Sequence, residues 1–225
     1  MRHGCADGRI LFVGGGTCAG KTTLAASLAR IIGARTFSVD DRLGDYAQAA
    51  ARDGSEAAIA GGSDDFERMW MRDPAKQFDE MLRFYRDVFP YVMNDVESVL
   101  GQAVSGVCAN GEPRFALIAE GVAFLPELLH AAGVPASSCV FLTADRDVHD
   151  ERYALREWAP LMLEGCTDPD SAFAQWMDRD ELLSQHVRSQ CTHLGYAHIH
   201  VSSHDTPDDI VRRAQSCCFP TPIDN

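Results

Sequence analysis

The chain reads as a single α/β domain of 225 residues built on a parallel sheet. Three observations predict this. Five short apolar runs recur along the chain, each bounded by turn-forming residues. Helical patterns separate them, and strands alternating with helices pair in parallel through right-handed crossovers. Each run ends in polar residues, which puts the chemistry at the carboxyl edge of the sheet.

The first run, Ile10 to Val13, reads as a buried strand. The glycine-rich stretch Gly15-Gly16-Thr17-Cys18-Ala19-Gly20-Lys21-Thr22 follows, with Thr23 beside it. A helix over Lys21 to Ile32 is expected next, with Leu24, Leu28 and Ile31 on one stripe. The second strand, Thr36 to Val39, ends on Asp40-Asp41. About 70 residues then precede the third strand, far more than a plain connection needs. Gly61-Gly62-Ser63-Asp64-Asp65 breaks this segment, and Pro74 opens a long helix to about Val104 with a kink expected at Pro90. Phe78, Met81, Leu82, Tyr85, Val88 and Phe89 keep helical spacing. Residues 43–106 are therefore read as a helical insertion covering the sheet edge, with Met69-Trp70-Met71-Arg72-Asp73 where it turns back. The third strand, Phe115 to Ala119, ends on Glu120-Gly121, and the fourth runs Cys139 to Leu142. Residues 145–170 form a lid-like region rich in arginine, loop-like from Pro160 to Pro169. A helix from Ser171 to Leu194 leads to the fifth strand, Ala197 to Val201. Thr206, Pro207, Asp208 and Asp209 have the N-cap, N1 and first-turn chemistry of a helix start.

Charge narrows the partners. Thirty-three acidic against twenty basic residues give a net charge of −13. Nucleic acids and anionic membranes are held by excess Lys and Arg, so neither is expected as the main partner. The short polar start and the absence of any apolar run near twenty residues argue for a cytoplasmic location. The eight cysteines lack a C-x-x-C pair and read as reduced thiols in that compartment. A homodimer is left open.

The glycine stretch fits G-x-x-x-x-G-K-[ST], with a strand before it and a helix after it. Glycines let backbone N–H groups curl around phosphates, and the helix N-terminus adds a positive dipole end. Lys21 is expected to reach the β- and γ-phosphates, and the Thr22 hydroxyl to hold Mg²⁺. Lys21 and the dipole would favour a thiolate at Cys18, and whether it is redox-sensitive is left open. Asp40 and Asp41 suit a base and a metal partner, Asp40 being the better base; helix capping would also explain them. Glu120 suits a carboxylate that organises Mg²⁺, and Gly121 would let substrate approach the backbone. Arg146, Arg152 and Arg156 are candidate guanidinium partners for a transferring phosphoryl group, against a plain reading of pairing with Asp150, Glu151 and Glu157. Arg72 and Arg86 are acceptor-binding candidates. His198, His200 and His204 are read as satisfied or exposed rather than metal-bound.

Together these residues resemble the P-loop small-molecule kinases, with uridine kinase, 2-phosphoglycerate kinase and chloramphenicol phosphotransferase as the nearest patterns. Val13 to Thr22 is similar to their first motif, Val39-Asp40-Asp41 to their acid after strand two, and Ile118-Ala119-Glu120-Gly121-Val122 to their E-G step. The likeness extends over roughly Arg9 to Cys217, but residues 145–170 lack the paired arginines followed by aspartate of uridine kinases. The resemblance implies a three-layer P-loop nucleoside triphosphate hydrolase fold, a five-stranded sheet in the order 2-3-1-4-5, ATP and Mg²⁺ as cofactors, and a mobile lid. It also implies adenine near the loop after strand five.

The expectation is a phosphotransferase acting on a small hydroxyl-bearing molecule. Competing readings are a nucleotide-binding regulatory or toxin-like protein, favoured by a large apolar patch outside the cleft, and a simple ATP hydrolase.

Overall fold

The structure is a computed structural model and describes residues 9–61, 65–105 and 115–219. Gly62, Ser63 and Asp64 of the expected break, the end of the expected insertion and the tail beyond Phe219 lie outside them.

Five parallel strands form one sheet in the order β2-β3-β1-β4-β5. They are β1 (Ile10–Gly15), β2 (Arg35–Ser38), β3 (Leu117–Glu120), β4 (Cys139–Ala144) and β5 (Ala197–Val201). This is the sheet of the P-loop fold. The central strand is buried throughout, so its run is apolar on both faces rather than alternating. Leu11 and Val13 pack on one side with α1 (Lys21–Ile32) and α9 (Pro207–Cys218). Ile10 and Phe12 pack on the other with α5 (Pro74–Ser105) and α8 (Pro169–Leu194). The period of two thus divides one strand between two cores and gives three layers.

Between β2 and β3 come α2 (Leu43–Arg52), α3 (Glu56–Gly61), α4 (Phe66–Trp70) and α5. α5 continues through Pro90. An interior proline costs about 3 kcal/mol. Val88, Val92 and Val96 are fully buried on the face opposite the exposed proline. Three such burials contribute roughly 1.5–3 kcal/mol each, enough to hold both halves of the helix on the core. α6 (Pro126–Ala131) and α7 (Arg146–Ala154) follow β3 and β4.

A third, smaller core lies beyond the sheet. Trp70 of α4, Tyr153 of α7, Ala159 and Cys166 of the α7–α8 connection, and Ala172, Trp176 and Met177 of α8 pack together, with Cys18 against them. The Trp70 and Trp176 rings stack at 4.4 Å. This cluster meets the glycine loop at Cys18.

Several local readings need correction. β3 starts at Leu117, and Phe115 and Ala116 are buried outside it. β1 runs on through Gly14 and Gly15, and Val39 lies past the end of β2. The buried stripe of α1 stops short of Ile31, which is 51% exposed. Pro160–Leu163 form a 3-10 turn rather than an irregular loop.

Candidate active site

The register sets the site. Val13 of β1 and Ser38 of β2 both lie opposite Glu120 of β3, while Gly15 lies opposite Leu142 of β4. The glycine loop therefore leaves the middle of the sheet beside the ends of β2 and β3.

Gly15 has φ +124°, and a Cβ there would sit 1.9 Å from the Leu142 carbonyl oxygen. Only glycine lets β1 turn so close to its neighbour. The Gly16 N–H then donates to Leu142 O at 2.8 Å. Cys18 is the one described non-glycine with positive φ, at +50°. Gly20 caps α1 in a left-handed conformation and supplies no side-chain cap. The first amides of α1 therefore face the cleft without a side-chain acceptor, the arrangement that suits an anion. Thr17, Cys18, Gly20, Lys21, Thr22 and Thr23 line the cleft; Ala19 is buried beneath it.

Lys21 is 7% exposed, and its Nζ donates to Gly16 O at 2.7 Å. Burial pushes its pKa below the ordinary lysine value, opposed by Glu120 and Asp40. Glu120 is 2% exposed; its Oε1 accepts from Ser38 Oγ at 2.7 Å and from Thr22 Oγ1 at 3.2 Å. Asp40 opens the 3-10 turn Asp40–Arg42 and lines the cleft. Asp41, its exposed neighbour, does not line it. Thr22 and Glu120 offer hard oxygen donors of the kind Mg²⁺ takes. No cluster of three metal-ligating side chains occurs among the described residues. An ion here would complete its shell with phosphate and water oxygens, which is how Mg²⁺ is ordinarily held.

Two readings change here. Burial raises the Cys18 thiol above its ordinary pKa, outweighing Arg156 and Lys21, so the expected thiolate is not supported. Gly121 does not open space for substrate; a Cβ there would meet Val39 Cβ at 2.6 Å, so its role is packing. His198 and His200 both bond Thr143 Oγ1, at 2.8 and 3.2 Å, and His200 also bonds Asp145, which gives them structural partners.

The arginines divide. Arg152 NH1 donates to Cys18 O at 2.8 Å, and both Arg152 and Arg156 line the cleft beside the loop. Arg146 is elsewhere, paired with Asp150 at 2.8 Å and Asp178 at 2.6 Å. Arg72 lines the cleft but is held by both Glu80 oxygens, at 2.8 and 2.6 Å. Arg86 sits outside the cleft, 3.9 Å from Glu127.

Sequence reasoning missed Asp180. It lies on α8, wholly buried, and its carboxylate accepts from four donors. Thr17 Oγ1 donates at 2.7 Å and Tyr153 OH at 3.1 Å to one oxygen. Arg179 Nε and NH2 reach the other at 2.7 and 2.6 Å. The Thr17 hydroxyl proton is committed to the carboxylate, so its oxygen accepts from His149 Nε2–H at 2.8 Å. Burial lowers the His149 pKa and keeps the ring neutral. This network fastens the glycine loop to α7 and α8. Asp180 sits four residues after Trp176 on a helix whose pattern looks purely amphipathic, and no spacing ties it to Thr17, 163 residues away.

The cleft encloses about 1140 Å³, above the ~300–1,000 Å³ of a typical single-ligand pocket. Its walls include Met69, Trp70, Met81, Phe84 and Tyr85 together with Leu155, Trp158 and Met162. Asp205, Pro207 and Ile210 lie at its far end, beyond β5, where the resemblance places adenine. Among the described residues no helix is long and apolar enough to cross a membrane.

No family model and no curated protein sequence matches the chain. Solved structures do. Shikimate kinase from Bacteroides thetaiotaomicron is 16% identical, with a TM-score of 0.49 over 92% of this chain and 96% of that one. Shikimate kinase from Aquifex aeolicus is 15% identical, with a TM-score of 0.39 over 90% and 91%.

Proposed function

We propose that the chain is an ATP- and Mg²⁺-dependent phosphotransferase that phosphorylates a small hydroxyl-bearing molecule. One observation carries this reading: Lys21, Thr22, Asp40, Glu120, Arg152 and Arg156 converge on a single cleft with room for two ligands. In this scheme the loop amides and Lys21 hold the β- and γ-phosphates. Mg²⁺, held through Thr22 and Glu120, would neutralise charge on the phosphates. The acceptor oxygen bonds to the γ-phosphorus as the bond to the bridging oxygen breaks, and ADP leaves. Asp40 takes the hydroxyl proton. Arg152 and Arg156, on a lid formed by α7 and the connection to α8, face the equatorial oxygens where charge gathers.

The test is a metabolite extract incubated with γ-labelled ATP and either wild type or Asp40→Asn. A labelled product whose formation falls by about a hundredfold or more in the variant is expected for a lost general base. ATP consumption indifferent to added extract, with no labelled product, would defeat the reading and favour simple hydrolysis.

A further inference from the structure

The second ligand's chemistry is written on the walls contributed by α4, α5 and the α7–α8 connection. We propose that the acceptor is an uncharged hydroxyl compound with a flat apolar body, seated against Phe84, Tyr85 and Trp158 and read at its polar edge by the Gln77 side-chain carbonyl. This rests on the phosphotransferase reading and names its substrate class.

Three observations carry it. The first is the aromatic wall itself. Trp158 is 45% exposed, although it packs edge-on to Tyr153 at 5.9 Å and lies 6.0 Å from Trp176. Phe84 and Tyr85 meet edge to face at 5.3 Å across the cleft wall. Partly exposed aromatic surface around a cleft is the surface that a ring covers with most gain.

The second is charge. The α4–α5 walls carry Arg68 and Arg72 against Asp65 and Glu80, a balance of zero before Asp40 is added. Arg72 is gripped bidentately by Glu80, whose carboxyl is held below its ordinary pKa by that bond. Arg68 is exposed and also acts on Glu80. Arg179 gives two N–H groups to Asp180 and sits over the Trp70 ring at 4.9 Å. Arg152 and Arg156 stand at the glycine loop, where the phosphates need them. An anionic acceptor would enter a chain of net charge −13 and find Arg72 and Arg179 already held by carboxylates.

The third is an unmatched polar atom. Gln77 is 4% exposed and lines the cleft. Its amide nitrogen donates to Trp70 O at 3.0 Å and Arg72 O at 2.8 Å, which fixes which end is which. That leaves Oε1 buried without a protein partner. A donor on the acceptor would satisfy it.

The experiment sets neutral aryl alcohols against hydroxycarboxylates and sugar phosphates of equal size, each with γ-labelled ATP. Label transfer to aryl alcohols at least about tenfold above the anionic set is expected. Trp158→Ala should raise KM for the aryl alcohol about tenfold while KM for ATP holds. Gln77→Leu should raise KM only for alcohols carrying a second donor. Ring-dependent quenching of tryptophan fluorescence, lost in Trp158→Ala, reports binding without turnover. Label passing to the anionic set alone, or an unchanged KM in Trp158→Ala, overturns the inference and leaves the kinase reading standing. Nucleotide binding with no label transfer to either set overturns both.

Discussion

Asp180→Asn gives the sharpest test of how the glycine loop is held. The substitution keeps the shape and removes the charge that faces two Arg179 N–H groups, Thr17 and Tyr153. Breaking a buried pair by neutralising one partner costs about 3–5 kcal/mol. Arg179 is 14% exposed and keeps its stacking on Trp70, so the low end applies. A domain of this size loses about 2–4 °C per kcal/mol, so the melting temperature should fall by ~6–12 °C. The loop should also feel the loss, because an asparagine oxygen is a weaker acceptor for the Thr17 hydroxyl. KM for ATP is expected to rise several-fold, and Thr17→Val should raise it likewise with a smaller thermal effect. Thermal melts by circular dichroism and initial rates on the same preparations read both quantities. A melting temperature within 2 °C of wild type, with KM for ATP unchanged in both variants, would refute the claim that this network positions the loop.

Gly15→Ala should prevent folding, since its Cβ meets a backbone oxygen of a central strand at 1.9 Å; a loss of about 4 kcal/mol or more is expected. Gly33→Ala, also left-handed but with nothing within 4 Å, should cost only about 1–2 kcal/mol, and soluble yield and urea midpoints compare the two. Burial lowers His149, and burial with His200 and Arg188 lowers His198 to about 4. The unfolded chain then binds more protons below pH 6.5, so stability should fall as pH drops from about 6.5 towards 4. His198→Asn should flatten that decline, and an identical pH slope in urea titrations would count against it. Cys18, held as a thiol by burial, should resist peroxide at pH 7.5 while exposed Cys217 oxidises first, as mapped by peptide mass.

The parts legible in the sequence are those set by near neighbours. The helix from Lys21 to Ile32 and the capping box of Thr206 and Asp209 appear where local chemistry puts them. The alternation of runs was enough for a parallel sheet, and its order came from the family resemblance. Asp40 and Glu120, picked out after apolar runs, both line the cleft. What stayed hidden is non-local. Arg146, Arg152 and Arg156 look alike in the sequence, yet Asp150 and Asp178 hold the first away while the other two meet the loop. Asp180 needed the fold to bring α8 under Thr17. Ile31 shows the limit of periodicity, which marks a stripe without saying where its partner surface ends.

The spacing of Trp176 and Asp180 on α8 has a consequence for anyone redesigning this protein. One residue backs the cleft wall through Trp70, and the other, a single helical turn on, holds the glycine loop. Mutations at Trp176 that reshape the pocket would tilt that turn and loosen the glycine loop along with it. A library aimed at new acceptors should leave α8 intact and vary Leu155 and Trp158, which border the cleft and are well exposed.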